Sequence, residues 1–513
     1  MRGQAQPRSR GFLIGSEKMP QTQRQPFAQR LRGLFAPVDL THGNISGVLI
    51  RFSIPIVLSN LLQQIYTLSD AAICGQTLTA GEVAGINDTS PLLFMVLQFA
   101  FGCATGFSVV TANRVGERDE AGVRRSFAAQ IWLCGGLTLL LSAAAIVFLN
   151  PLLSMVNVTP QNAEVHRAAY TYCLIIFLGI GAQLFYNVVC SLLRSTGDSF
   201  TPLVFLFFST LLNILLDLLF ILGFGWGVAG AAVATIAAQL CSAVACFAYT
   251  FIKYKALRLH RADFRMPRGE LWQHFRLGLP LGLQFSVLAI GVILMMGQVV
   301  RFDLLPDGMM VAGAPAQNGF GAANKMINFL MSPFWALGAA LVSFNAQNSG
   351  AGDFLRVRKG TDRAFWLAML LYVICAAAGL LLSIGGAYQY IFLSPDKISA
   401  ASVTFGNLFL YADLPLFCFV GILLVWRSAV QGVGRPIYTL FAGIAELAAR
   451  IVISLFLPVA VGGMEISALA PKSAFYALCL ADPGAWLLAA LVLLPPYVYY
   501  IVRPARRVGE SRL

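Results

Sequence analysis

Apolar residues in this chain come in long blocks, and each block is about as long as a helix needs to cross a ~30 Å hydrocarbon layer at ~1.5 Å per residue. Twelve such blocks fall near 48–74, 90–112, 127–149, 168–193, 203–222, 228–251, 276–300, 320–344, 364–384, 403–426, 437–459 and 484–502. The pattern predicts an all-α polytopic membrane protein, because a helix satisfies its own backbone N–H and C=O groups in lipid. Basic residues segregate between alternate connectors. One set holds Arg114, Arg118, Arg124 and Arg125, then the run from Lys253 to Arg268, then Arg356, Arg358, Lys359 and Arg363, with Arg503, Arg506 and Arg507 at the end. The other set holds only Arg167, Arg301, Lys397 and Lys472. The positive-inside rule then puts both termini in the cytoplasm. Residues 1–47 are Arg-rich without an apolar core, so they read as a cytoplasmic tail, and the first spanning helix does the targeting.

The fifth block, Leu203 to Leu222, is interrupted by Asn213 and Asp217. These are i and i+4 and share one helical face, with Thr210 a turn away. A carboxylate inside a spanning helix costs at least ~2.5 kcal/mol on insertion scales, so it is expected to face a cavity or partner and to mark an ion or proton path. The alternative is a structural pair with a buried cation, and no Lys or Arg falls in the adjacent fourth and sixth blocks.

The chain also repeats. Arg51-Phe-Ser-Ile-Pro55 recurs as Arg276-Leu-Gly-Leu-Pro280, Gly116-Glu-Arg-Asp119 as Gly350-Ala-Gly-Asp353, and Gly197 in RSTGDSFTP as Gly434 in QGVGRPIYT, in the same order and at similar offsets. Six blocks per repeat means both halves enter the membrane from the same side. The expected architecture is therefore twelve transmembrane helices in two parallel six-helix bundles, 48–252 and 276–502, related by a pseudo-two-fold along the membrane normal. A basic linker, 253–275, joins them, and tails 1–47 and 503–513 flank them. A central cavity and alternating access by rocking follow from this arrangement.

Composition removes other classes. At 58% hydrophobic and 12% charged over 513 residues, the chain is too apolar for soluble domains. Its net charge of +13 sits in connectors, which argues against nucleic acid as a partner. The ten cysteines form no CxxC, and the four histidines (His42, His166, His260, His274) are expected in tails and loops at no ligand spacing. There is no Walker A motif, so neither an enzyme nor an ATP-driven pump is expected.

Several segments together resemble the multidrug and toxic compound extrusion (MATE) transporters of bacterial type, over roughly Val48 to Arg503. They are Pro55, Tyr66 and Asp70 in IPIVLSNLLQQIYTLSDAAICGQ, LLRSTGDSFTP after the fourth block, Asn213 and Asp217 in NILLDLLFI, and Thr235 in GWGVAGAAVATIAAQ. The resemblance implies a secondary active antiporter of the cell inner membrane, with both termini cytoplasmic. It would export small amphiphilic, cationic organic compounds in exchange for H⁺ or Na⁺, as a monomer among membrane lipids and with no cofactor besides the coupling ion. It also implies that Asp70, Asn213, Asp217 and Thr235 form a cation-coupling site able to hold Na⁺, with Tyr66 in support and Pro55 as the bending point of the first helix. Counting residues from the helix ends places Asp70, Asp217 and Thr235 ~7 to 10 Å from one surface, so the three are expected in one layer.

The departures from the family are equally specific. Some branches carry acids on the seventh and tenth helices, whereas the seventh block here offers only Gln284 and Gln298, so coupling is assigned to the first bundle. Asp413 in the tenth block is expected to reach the outer surface. Glu446 and Arg450 are expected to neutralise each other, and Lys325, five residues into the eighth block, to snorkel outward. A lipid-linked saccharide flippase of the same superfamily is the alternative function. It would need several basic residues in its cavity, and the acidic first half favours a cationic or neutral substrate instead.

Overall fold

The computed structural model describes residues 36–156, 158–394 and 398–510, so most of the expected N-terminal tail, Lys397 and the last three residues lie outside it. The first half comprises α1 (Ile45–Thr77), α2 (Ala80–Glu117), α3 (Glu120–Val147), α4 (Leu149–Met155), α5 (Ala163–Leu178), α6 (Ile180–Ser195), α7 (Phe200–Asp217) and α8 (Gly227–Lys253). The second comprises α9 (Arg268–Arg301), α10 (Pro315–Gly350), α11 (Phe354–Ser383), α12 (Gln389–Phe392), α13 (Ala400–Asp413), α14 (Phe417–Gly432), α15 (Pro436–Gly462), α16 (Lys472–Cys479), α17 (Ala481–Tyr497) and α18 (Arg503–Glu510). Among the described residues eleven helical units are long and apolar enough to cross a membrane, and α5 with α6, bent by 45° at Gly179, makes a twelfth.

The spanning helices start earlier than the apolar blocks suggest, and three of them show a capping or packing reason. Thr79 and Glu82 form a reciprocal capping box that starts α2 at Ala80. The Asp303 carboxylate accepts from the backbone N–H groups of Ala316 (2.9 Å) and Gln317 (2.8 Å), which starts α10 at Pro315. α9 starts at Arg268 and not at Arg276, and its first turns carry His274. That histidine is fully buried rather than in a loop, paired with Ser126 Oγ (2.7 Å) and the Glu270 carbonyl (2.8 Å).

The three sequence echoes mark equivalent places in the two halves. Pro55 and Pro280 both lie inside the first helix of their half, and α1 runs on past Pro55. Asp119 and Asp353 are the N-caps of α3 and α11, and Gly197 and Gly434 take positive φ of 91° and 74° in the turns after α6 and α14. Packing follows the same symmetry. α1 lies against α7 of its own half and α10 of the other, while α9 lies against α15 of its own half and α2 of the other.

At the end where α1 starts and α10 finishes, the two halves touch through Gly116 and Gly350. A Cβ on Gly116 would collide with the Gln347 backbone, and one on Gly350 with the Asn113 backbone. A strap from Val38 to Gly43 reinforces this closure. Val38 N–H donates to the Gly197 carbonyl (2.9 Å), the Leu40 carbonyl accepts from Asn348 Nδ2 (3.1 Å), and the Gly43 carbonyl accepts from Arg356 Nη1 (3.0 Å). Nearby, Asp198 accepts from Lys253 Nζ (2.9 Å), Tyr254 OH (2.6 Å) and Thr201 Oγ1 (2.6 Å). Burial alone would raise the Asp198 carboxyl, but these donors hold it below the ordinary carboxylate range.

Candidate functional site

Three helices of the first half each present one i, i+4 polar pair toward the same interior point: Tyr66 and Asp70 on α1, Asn213 and Asp217 on α7, Thr235 and Gln239 on α8. The spacing keeps each pair on one face, and the packing of α7 against both α1 and α8 brings the three faces together. The carboxyls of Asp70 and Asp217 lie beside one another, Asn213 lies beside Asp217, and Tyr66 lies beside Thr235 and Gln239. All four residues that the sequence assigned to the site, and Tyr66, are thus in one cluster. Pro55 is not; it lies eleven residues before Tyr66 on α1. α7 ends at Asp217, and the chain goes on as a wider π turn, Leu218–Gly223, an irregularity that recurs at functional positions in helices.

The cluster is deeply buried and underbonded. Asn213 and Asp217 are fully buried. Both Asp217 oxygens, both Asn213 amide atoms, Asp70 Oδ1, Tyr66 OH and Gln239 Oε1 have no hydrogen-bond partner among the described residues. Each such atom costs ~1–3 kcal/mol when left unpaired, so this density in one place points to a ligand rather than to a structural lock. No Lys or Arg forms an ion pair with Asp70 or Asp217 among the described residues, so the structural-pair alternative for Asp217 is not what the fold builds. Two adjacent carboxylates in a low-dielectric interior cannot both stay ionised without a cation between them. The donors are hard oxygens from carboxylate, amide and hydroxyl groups, which suit a proton or Na⁺ equally.

The sequence reading missed Gln239 and Tyr172. Gln239 carried the same i, i+4 signal from Thr235 as Asn213 does from Asp217. Tyr172 on α5 comes within range of Asp70 and Tyr66 only through the fold.

In the second half two expectations are corrected and one is enlarged. Asp413 does not reach the surface. It is fully buried with neither oxygen partnered, because α13 stops there at a 3₁₀ turn around Pro415 in the middle of a span that continues as α14. Lys325 lies ten residues into its helix and not five, since α10 begins at Pro315, and it is exposed. Glu446 does pair with Arg450 (3.0 Å), but it also accepts from Arg427, and Arg450 Nε reaches Asp482 at 2.7 Å.

Comparison with known proteins adds an independent line. The family model described as MatE matches residues 55–219 and 307–456. A Bacillus subtilis protein described as the probable multidrug resistance protein YpnP is 32% identical over 323 residues, 62% of this chain and 68% of its own length. A Shewanella oneidensis protein described as an FAD transporter is 24% identical over 326 residues, 62% of this chain and 69% of its own length. A solved structure described as the outward-facing conformation of a multidrug resistance MATE family transporter aligns with TM-score 0.78 over 92% of this chain and 99% of that one. Its 19% identity speaks to the fold alone.

Proposed function

The chain belongs to the MatE family of multi-pass membrane transporters, and from that premise we propose that it is a secondary active antiporter exporting small amphiphilic organic compounds in exchange for H⁺ or Na⁺ by alternating access. The observation that carries the ion-coupled part is the Asp70–Asp217 pair, two adjacent carboxyls with no basic partner, surrounded by unpartnered amide and hydroxyl groups. The coupling cation supplies the positive charge that lets both carboxylates share one site. Asp70 and Asp217 hold it, Asn213 and Thr235 complete the oxygen set, and the bulk of α1, α7 and α8 excludes water. Because Asp70 sits on α1, and α1 also packs on the second half through α10, a change of charge at the pair is felt at the contact between the halves. Pro55 leaves Arg51 without its usual backbone donor and gives α1 a weak point for that response. The Gly116–Gly350 contact and the Val38–Gly43 strap close the terminal end, which the positive-inside bias assigns to the cytoplasm of the inner membrane.

The test is efflux of a fluorescent organic dye from proteoliposomes under an imposed ΔpH or ΔpNa. Asp217→Asn should bind dye and fold normally, while gradient-driven movement falls at least ~100-fold, because an amide cannot exchange a proton or hold Na⁺ as a carboxylate does. Wild-type efflux rates from that variant would remove Asp217 from coupling.

A further inference from the structure

An exposed lysine on a spanning helix, with no acid within ion-pair distance among the described residues, is what the coupling site does not account for. α10 runs from Pro315 to Gly350, so Lys325 lies ten residues in, ~15 Å along its axis. No carboxylate comes within ion-pair distance of it among the described residues, and Asp70 and Asp217 are turned into the first bundle. An ammonium on a spanning helix is costly against lipid and is expected to face water or a partner.

Helix geometry shows which way it faces. At ~100° per residue, Ser332, Gln347 and Gly350 lie on the same side of α10 as Lys325. All three touch the first half: the Ser332 carbonyl accepts from Asn60 Nδ2 (3.4 Å), Gln347 Nε2 donates to the Ser195 carbonyl (2.7 Å), and Gly350 abuts Asn113. Two turns beyond Ser332 the same side carries Lys325, Asn328 and Phe329, now exposed. The facing helix matches this. α1 meets α10 at Asn60, and beyond it the same face shows Gln63, Gln64 and Thr67, all exposed and all neutral. Lys325 therefore points into the cleft that opens between α1 and α10, and not toward lipid.

Its surroundings describe a binding site. Asn324 and Asn328 flank it by one turn or less and are tied to each other, with Asn328 Nδ2 donating to the Asn324 carbonyl (2.8 Å) and to Asn324 Oδ1 (3.2 Å), so a fixed polar patch lies beside the ammonium. Phe329, 51% exposed, lies one turn further along and offers a ring face to an apolar body. We propose that Lys325 makes the cleft between α1 and α10 a site for amphiphiles that carry an anionic group, a carboxylate or a phosphate, and that it is the residue setting this preference. The proposal rests on the transport reading above and refines its substrate class: Asp70 and Asp217 are turned into the ion site, and Lys325 sets the charge on the α10 wall of the cleft.

Binding to the purified full-length protein in nanodiscs tests it, using rhodamine B, which bears a free carboxylate, and its methyl ester, which does not. Lys325→Gln should weaken rhodamine B binding at least ~10-fold and ester binding less than ~2-fold, with Lys325→Arg keeping rhodamine B within ~3-fold of wild type. Raising KCl should weaken rhodamine B binding to wild type and leave Lys325→Gln unaffected. Equal loss of both dyes, no loss of either, or no binding of rhodamine B by wild type would overturn the proposal. Intact ester binding without gradient-driven ester efflux would instead sink the antiport reading and leave the role of the lysine standing.

Discussion

In the first bundle Asp70 and Asp217 lie side by side with no guanidinium or ammonium of the described residues paired with them. In the second, Arg427, Glu446, Arg450 and Asp482 form a continuous ion-pair circuit in that order, with Arg450 shared between Glu446 at 3.0 Å and Asp482 at 2.7 Å. Both clusters are buried in helices that read as equally apolar along the chain. The difference is whether the protein supplies its own counter-charge. Where it does, the acids are neutralised permanently, and the circuit ties α14, α15 and the start of α17 together. Where it does not, the proposed antiport mechanism has neutralisation come from a mobile ion, so that the state of the site changes during a transport cycle. On that mechanism the Asp70–Asp217 charge is exchangeable, whereas the Glu446–Arg450 charge is structural.

That contrast can be broken or sharpened experimentally. The largest effect on stability is expected from Arg450→Leu, which strands Asp482 and removes one of the two partners of Glu446. Loss of about 3–5 kcal/mol should appear as a marked drop in apparent melting temperature in detergent, whereas Asp217→Asn should leave that temperature unchanged or higher. If Arg450→Leu melted like wild type, the circuit would not be a structural element. A smaller effect is expected at the edge of the ion site. Gln239→Ala should slow gradient-driven dye efflux by about 3- to 10-fold without altering dye binding, and a wild-type rate would place Gln239 outside the coordination of the ion. The smallest effect is expected from Asp413→Asn. Asp413 lies within range of Asp482 and Arg450 but bonds to neither. If the second half is scaffold only, efflux should stay within ~3-fold of wild type. A loss beyond ~10-fold would make Asp413 a second coupling group and erase the asymmetry.

The particular residues show where sequence reasoning succeeds. Asn213 and Asp217 stand out because a carboxylate is anomalous in an apolar run of spanning length, and i, i+4 spacing says which face it is on. The Gly116/Gly350 and Asp119/Asp353 echoes were readable as a repeat because both places carry the same backbone demand, a close crossing followed by a helix N-cap. Asp413 and Lys325 were misjudged because depth was counted from where hydrophobicity begins. Helices begin where caps allow, at Pro315 for α10 through the Asp303 carboxylate, and a spanning unit broken at Pro415 hides its central acid from a count made from the end.

The sequence by itself determined what the bilayer enforces locally: the number and length of the spanning segments, their division into two halves, and the few polar residues too costly to sit in lipid without purpose. Tertiary structure alone decided the pairings of those residues. It joined Arg427 and Asp482 to Glu446 and Arg450, left Asp70 and Asp217 unpaired, and turned Lys325 toward the opposite bundle. The physical reason is range. Hydrophobic length and helical phase are properties of consecutive residues, whereas whether a buried charge is neutralised depends on side chains brought within a few ångströms from helices scores or hundreds of residues apart.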